Sequence, residues 1–230
     1  MKCKECGYDL PANGGPCRVC RRQDEWETKG RERACLELFT KRIAQDLETV
    51  TISIHEQHVL DLQQGKGLFL YGAPGSGKTL YACALALEVK RRGLIYPNNP
   101  RYKIKFTDCL NLLHIIRSSF EDGNNTTNHI LDEYTQVGLL ILDDLGAERA
   151  TDWSLQIVQM IVNNRYEGIQ PTIITSNFGL NDLSRLLDDR LVSRINGMCR
   201  SISFGEKDHR LGTGGDKCLR NLSSDESSLA

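Results

Sequence analysis

Apolar residues in this chain fall into short unbroken runs, separated by longer stretches with helical spacing. Leu68-Phe69-Leu70-Tyr71, Leu139-Leu140-Ile141-Leu142 and Thr172-Ile173-Ile174-Thr175 are too short for helices, and their continuity predicts strands covered on both faces. Lys103-Ile104-Lys105-Phe106 predicts a further short strand. Helical patterns lie between them. One covers residues 80–87. Another starts at Thr107 or Asp108 and places Cys109, Leu112, Leu113, Ile116 and Phe120 on one face, followed by a loop at Asp122-Gly123-Asn124-Asn125. A third runs from Thr151 or Asp152 to Tyr166 and is closed by Gly168, and more helix follows over roughly 181–196. Strands and helices in alternation predict an α/β fold: a parallel sheet flanked by helices.

Ahead of this region, residues 24–47 are charge-rich, and Ala34, Leu38, Phe39, Ile43 and Leu47 form a loose helical stripe, which predicts a connector helix. Residues 212–230 are rich in Gly, Ser and Asp and are expected to be disordered. The expected organisation is a small module at 1–22, a helical connector at 23–50, one α/β domain at 51–210 and a tail at 211–230.

The turn after the first strand carries the most specific chemistry. Gly72-Ala73-Pro74-Gly75-Ser76-Gly77-Lys78-Thr79 fits G-x-x-x-x-G-K-[ST], and it joins a strand to a helix as a phosphate-binding loop must. In such a loop the backbone N–H groups and the helix's positive end face the phosphates of ATP. Lys78 would reach the β/γ oxygens, and the Thr79 hydroxyl would ligate Mg²⁺. The matching half of the site follows the next buried strand, which ends in Asp143-Asp144 where a parallel sheet binds ligands. Asp143 suits the Mg²⁺ shell. Asp144 suits orienting or deprotonating water, with Glu148 a weaker substitute. Asn177, closing the next strand, can hold the γ-phosphate or the water, or simply form a turn. Arg190 and Arg194 are four apart and share a helix face, where surface ion pairs with Asp188 or Asp189 are the ordinary alternative to an arginine finger.

Nine cysteines divide into two groups. Cys3-x-x-Cys6 and Cys17-x-x-Cys20 have the spacing of two knuckles that offer four thiolates to one Zn²⁺, and a pair of disulfides is the rival. Cys83 and Cys109 sit on apolar helix faces and are expected in the core. The 230 residues hold 40% hydrophobic content but no run of about 20 apolar residues, and the start has no apolar signal core, so a cytoplasmic protein without membrane contact is expected. A net charge of −1 leaves DNA contact to local patches: Arg18, Arg21 and Arg22; Lys90-Arg91-Arg92, which also suit a helix end; and Arg101, Lys103 and Lys105.

The phosphate loop, the segment 139–148, Pro171-Thr172-Ile173-Ile174-Thr175-Ser176-Asn177 and Leu187-Asp188-Asp189-Arg190-Leu191-Val192-Ser193-Arg194 together resemble the AAA+ ATPases of the DnaC/DnaI helicase-loader and IstB group, over roughly residues 50–210. The resemblance implies an AAA+ P-loop NTPase fold with a short or absent C-terminal lid. It implies Walker A at 72–79, Walker B at Asp143 and Asp144, sensor 1 at Asn177, an arginine finger at Arg194 with Arg190 beside it, and a sensor 2 arginine at Arg210. The cysteine module is similar to, but shorter than, the zinc domain through which the DnaI branch docks its partner. The helix after Thr107, with Asn111, His114 and Arg117 on its polar side, corresponds to a segment that faces single-stranded DNA in these loaders. The expected activity is hydrolysis of ATP by subunits that associate head to tail, in a loader that binds a replicative hexameric helicase and places it on single-stranded DNA. A transposition helper that oligomerises on DNA and recruits a transposase is the alternative. A P-loop kinase of small molecules explains neither Asn177 nor the arginine pair, and a regulator with a vestigial ATPase is a fourth possibility.

Overall fold

Five parallel strands form the centre of the molecule, in the order β3-β4-β5-β2-β6. A computed structural model describes residues 37–94, 103–120, 124–147, 151–205 and the backbone of 218–219. In chain order the elements are α1 (Lys41–Thr49), β1 (Thr51–Ile52), α2 (Glu56–Gln63), β2 (Gly67–Tyr71), α3 (Lys78–Arg91), β3 (Ile104–Asp108), α4 (Cys109–Ser119), α5 (Asn124–Gln136), β4 (Leu139–Asp143), α6 (Asp152–Glu167), β5 (Thr172–Ser176), α7 (Leu180–Leu186), α8 (Asp189–Met198), β6 (Cys199–Ser203) and β7 (Cys218–Leu219). The last is paired in parallel with β1, away from the main sheet.

Side chains alternate across each strand, so the apolar runs feed two cores. Leu68, Leu70, Leu139, Ile141 and Ile173 face a layer built from α1, α2 and α3. Phe69, Leu140, Leu142 and Ile174 face the layer of α4 to α8. This is why the runs show no polar alternation. Cys83 and Cys109 are buried as expected, one in each core.

Several elements depart from the expected pattern. A single helix does not continue through residues 37–47: a helical turn ends at Leu38, and extended Thr40 caps α1 by accepting from the Ile43 N–H. Phe39, Ala44 and Leu47 of this stretch are buried in the core over α3. Asn124 and Asn125 do not complete a loop, because α5 starts at Asn124. The helices expected over 181–196 are present as α7 and α8, the Asp188 carboxylate accepting from the Arg190 N–H at the start of α8. Expected zinc ligands Cys3, Cys6, Cys17 and Cys20, together with Glu148, Arg101, Arg210, Arg18, Arg21, Arg22 and the expected tail apart from 218–219, lie outside the described residues.

At the strands' amino ends, Arg165 is fully buried and forms ion pairs with no carboxylate among the described residues. Its guanidinium instead donates to Tyr134 O at 3.0 Å, Val137 O at 2.8 Å, Pro171 O at 2.7 Å, Thr172 Oγ1 at 2.8 Å and Gln170 Oε1 at 3.1 Å. Tyr134 O is an end carbonyl of α5, which its own helix leaves without a partner. One cation thus joins α5, α6 and the entries to β4 and β5. Burial draws its pKa down to about 9, which still leaves it charged at neutral pH. Arg165→Met keeps much of the apolar volume but strands these acceptors, and is expected to lower stability by about 3 kcal/mol or more. Denaturant unfolding measures this, and a loss below about 1 kcal/mol would contradict the clamp.

Candidate nucleotide-binding site

The strand order places the phosphate loop, which follows β2, beside β5, and β5 beside β4. Residues from three separate strand ends therefore meet at one rim of the sheet. Gly77 has φ +96 as the N-cap of α3, a left-handed conformation that glycine adopts without strain. Gly72 passes so close to the chain leaving β6 that an added Cβ would lie 2.8 Å from Gly205 O. Here Ala73 N–H donates to Gly205 O at 3.1 Å and locks the loop's start to the chain leaving β6. Pro74 stands exposed on the loop's outer side.

Lys78 is buried, and its ammonium donates to Gly72 O and Ala73 O, each at 2.9 Å, and to Asn177 Oδ1 at 3.0 Å. The loop and the end of β5 are thus joined through one cation, 99 residues apart in sequence. Thr79 Oγ1 donates to Asp143 Oδ1 at 2.8 Å, and Thr175 Oγ1 donates to the same oxygen at 2.6 Å. The lone pairs of Thr175 in turn accept from the Asp144 N–H at 2.9 Å. Asp144 has φ +55, a left-handed conformation that Asp tolerates better than most residues. The turn after it is bolted to β5: Leu145 N–H donates to Thr175 O, and Ser176 Oγ donates to Leu145 O.

These residues fit a magnesium-bound triphosphate. Ser76 Oγ is buried within the loop and has no hydrogen-bond partner among the described residues, as a group left for a ligand would be. The first N–H groups of α3 likewise lack intrahelical acceptors. Thr79 Oγ1 and the Asp143 carboxylate are adjacent hard oxygens of the type Mg²⁺ takes alongside phosphate oxygens. Among the described residues no group of three or more His, Cys, Asp and Glu is placed to hold a metal by itself.

Of the expected site residues, the structure brings together Gly72, Gly75, Ser76, Gly77, Lys78, Thr79, Asp143, Asp144 and Asn177. Arg190 and Arg194 lie on the exposed face of α8, and the hydrogen bonds that hold the phosphate loop involve neither. Arg194 lies 4.8 Å over the Tyr166 ring rather than in an ion pair with Asp188, whose carboxylate caps α8. Lys90 and Arg91 lie in the last turn of α3 and Arg92 at its C-cap, where they pair with Glu37, Glu88 and Glu56. Lys105 pairs with Glu133 and lies over the Tyr134 ring, whereas Asn111, His114 and Arg117 are exposed on α4. Sequence reasoning gave Thr175 no role. A hydroxyl at a strand end was visible, but not its reach across to β4.

A phosphate loop at the end of β2, flanked by an acidic strand end and a polar strand end in a parallel 6-2-5-4-3 sheet, defines a P-loop nucleotide-binding protein of the AAA+ class. Residues 21–212 match the model of the IstB-like ATP binding protein family, and the chain belongs to that family. It is 22% identical over 145 residues to the replicative helicase loader DnaC of Escherichia coli (strain K12), covering 63% of this chain and 56% of that protein. To the replicative helicase loader DnaI of Bacillus subtilis (strain 168) it is 29% identical over 135 residues, covering 55% of this chain and 40% of DnaI. The chain thus spans about half the length of these curated relatives. A crystal structure of the DnaC helicase loader superposes with a TM-score of 0.59 at 27% identity, covering 73% of this chain and all of that one, and a crystal structure of DnaI superposes with a TM-score of 0.54 at 27% identity, covering 67% of this chain and 80% of that one. No helix among the described residues is long and apolar enough to cross a membrane.

Burial raises the Asp143 carboxyl from 3.8 to about 6, opposed by the two hydroxyl donors and reinforced by repulsion from Asp144 and Asp108. Between about pH 4 and pH 6 the native chain therefore keeps a proton that the unfolded chain has released, and stability falls as pH rises through that window. Asp143→Asn retains an oxygen acceptor for Thr79 and Thr175 but carries no charge. Without magnesium, its stability advantage over the parent is expected to open across that window and reach on the order of 2 to 3 kcal/mol by pH 8. Denaturant unfolding at pH 4 and pH 8 checks this; an equal difference at both values would contradict it.

Proposed function

We propose that the chain is an ATP-dependent loader that binds a replicative hexameric helicase and helps place it on single-stranded DNA, with the ATP state controlling assembly and release. What carries the reading is the buried junction of Lys78 with Asn177 and of Thr79 with Asp143, in a chain similar to DnaC and DnaI. Bound ATP with Mg²⁺ supplies a γ-phosphoryl group activated for transfer to water. Lys78 neutralises phosphate charge, and Thr79 with Asp143 holds the magnesium. Asp144 orients a water and accepts its proton, and Asn177 fixes the γ-phosphate side of the site.

Arg194 acts as the finger toward the nucleotide of a neighbouring subunit in a head-to-tail assembly, with Arg190 beside it. Their exposure on α8 is compatible with that role. Arg210 serves as sensor 2; it follows by five residues the Gly205 carbonyl that binds the loop. Asn111, His114 and Arg117 on α4 contact single-stranded DNA, with Lys103 beside them and with Lys105 partly neutralised by Glu133. Cys3, Cys6, Cys17 and Cys20 hold one Zn²⁺ in the module that docks the helicase, and the protein works in the cytoplasm. A second reading, a transposition helper that recruits a transposase, uses the same ATP-binding family core.

One capture experiment separates the two. The full chain, immobilised in the presence of ATP and Mg²⁺, is exposed to host lysate, and the retained proteins are probed for the replicative helicase and for transposases. The loader reading expects the hexameric helicase, released when a zinc chelator is added. Retention of a transposase without helicase would establish the helper reading in its place.

A further inference from the structure

What lies beneath Arg194 on the surface of α8 is an aromatic ring. The guanidinium carbon stands 4.8 Å over the centre of Tyr166, the next-to-last residue of α6. A Cβ added to Gly197, on the next turn of α8, would lie 3.4 Å from the ring, so the tyrosine rests against the helix backbone beside the arginine. The backbone that carries the ring is held firmly, because the residue before it is Arg165, the buried clamp of α5, α6 and the entries to β4 and β5. Both Tyr166 and Arg194 remain open to solvent. Among the described residues no carboxylate forms an ion pair with Arg194.

The kind of contact decides what the guanidinium can still do. An ion pair would occupy its donors and neutralise its charge. A ring under the planar face leaves the N–H fork and the positive charge facing outward, and it restricts a side chain that is otherwise long and rich in rotamers. Resting on the reading of Arg194 as the finger, we propose that Tyr166 is the residue that positions it: the ring holds the guanidinium in place on α8, so that little side-chain freedom is lost when it meets the γ-phosphate of the neighbouring subunit's nucleotide. Preorganisation of this kind acts on turnover and leaves the nucleotide affinity of the subunit's own loop untouched.

Turnover and equilibrium ATP affinity of the full chain with Mg²⁺ are compared in Tyr166→Leu, Tyr166→Phe, Arg194→Ala and the double variant that combines Tyr166→Leu with Arg194→Ala. Arg194→Ala is expected to lower kcat by about a hundredfold or more, as loss of an arginine finger does. Tyr166→Leu is expected to lower it about fivefold, the size of an exposed cation–π contact, and Tyr166→Phe, which keeps the ring, less than about twofold. ATP affinity is expected to stay within about twofold of the parent throughout. In the Arg194→Ala background, loss of the ring is expected to change kcat by less than about twofold, because the ring then has nothing to hold. A merely structural role would slow both backgrounds alike. If Arg194→Ala slows turnover while Tyr166→Leu does not, or Tyr166→Leu slows both backgrounds equally, or Tyr166→Phe is as slow as Tyr166→Leu, the positioning role is overturned and the finger stands. If Arg194→Ala turns ATP over like the parent, the finger reading falls and the positioning role falls with it.

Discussion

The site depends on one buried oxygen. Asp143 Oδ1 accepts hydroxyl bonds from Thr79 at the start of α3 and from Thr175 in β5, and so fixes three elements distant in sequence at one point. The Thr79 bond ties the first turn of α3 to the acidic strand end. Burial of the carboxylate opposes its charge, and the two hydroxyl donors offset that only in part. A buried carboxyl whose charged form is disfavoured, at the same rim as a loop serine with no partner among the described residues, is suited to a cation and an anion that bind together.

The two ends of the sheet are managed differently. At the carboxyl ends, where parallel strands bind ligands, polar groups converge, and the Ser76 hydroxyl has no partner among the described residues. At the amino ends the Arg165 guanidinium fills the space between α5, α6 and the starts of β4 and β5, and saturates carbonyls there. A second tie, between Arg200 on β6 and the buried Asp61 of α2, fastens the edge strand next to β2. The rigidity that positions Asp143 and Thr175 is therefore supplied from the opposite side of the molecule.

Sequence pattern disclosed the parts of this arrangement that are local. Leu139-Leu140-Ile141-Leu142 reads as a buried strand because both of its faces are covered, and the loop at 72–79 is recognisable because each of its positions answers to phosphate geometry. Helix α5 was not legible: its sequence Asn-Asn-Thr-Thr-Asn-His is polar and poor in helix formers, and the helix is held by Tyr134 and Val137 in the core and by Arg165 at its end. Strand β6 was missed because Cys-Arg-Ser-Ile-Ser contains little apolar surface; it exists by pairing with β2. The role of Thr175 was hidden for the same reason, since its partner lies on another strand.

In the proposed reaction Lys78 serves nucleotide binding and Asp144 the step that follows. The most direct measurement compares equilibrium ATP binding and single-turnover hydrolysis in Lys78→Ala and Asp144→Asn. Lys78→Ala is expected to lose ATP affinity by about a hundredfold or more, whereas Asp144→Asn is expected to bind ATP within a few-fold of the parent and to turn it over at least about a hundredfold more slowly. Equal loss of affinity in both variants, or undiminished turnover in Asp144→Asn, would contradict it.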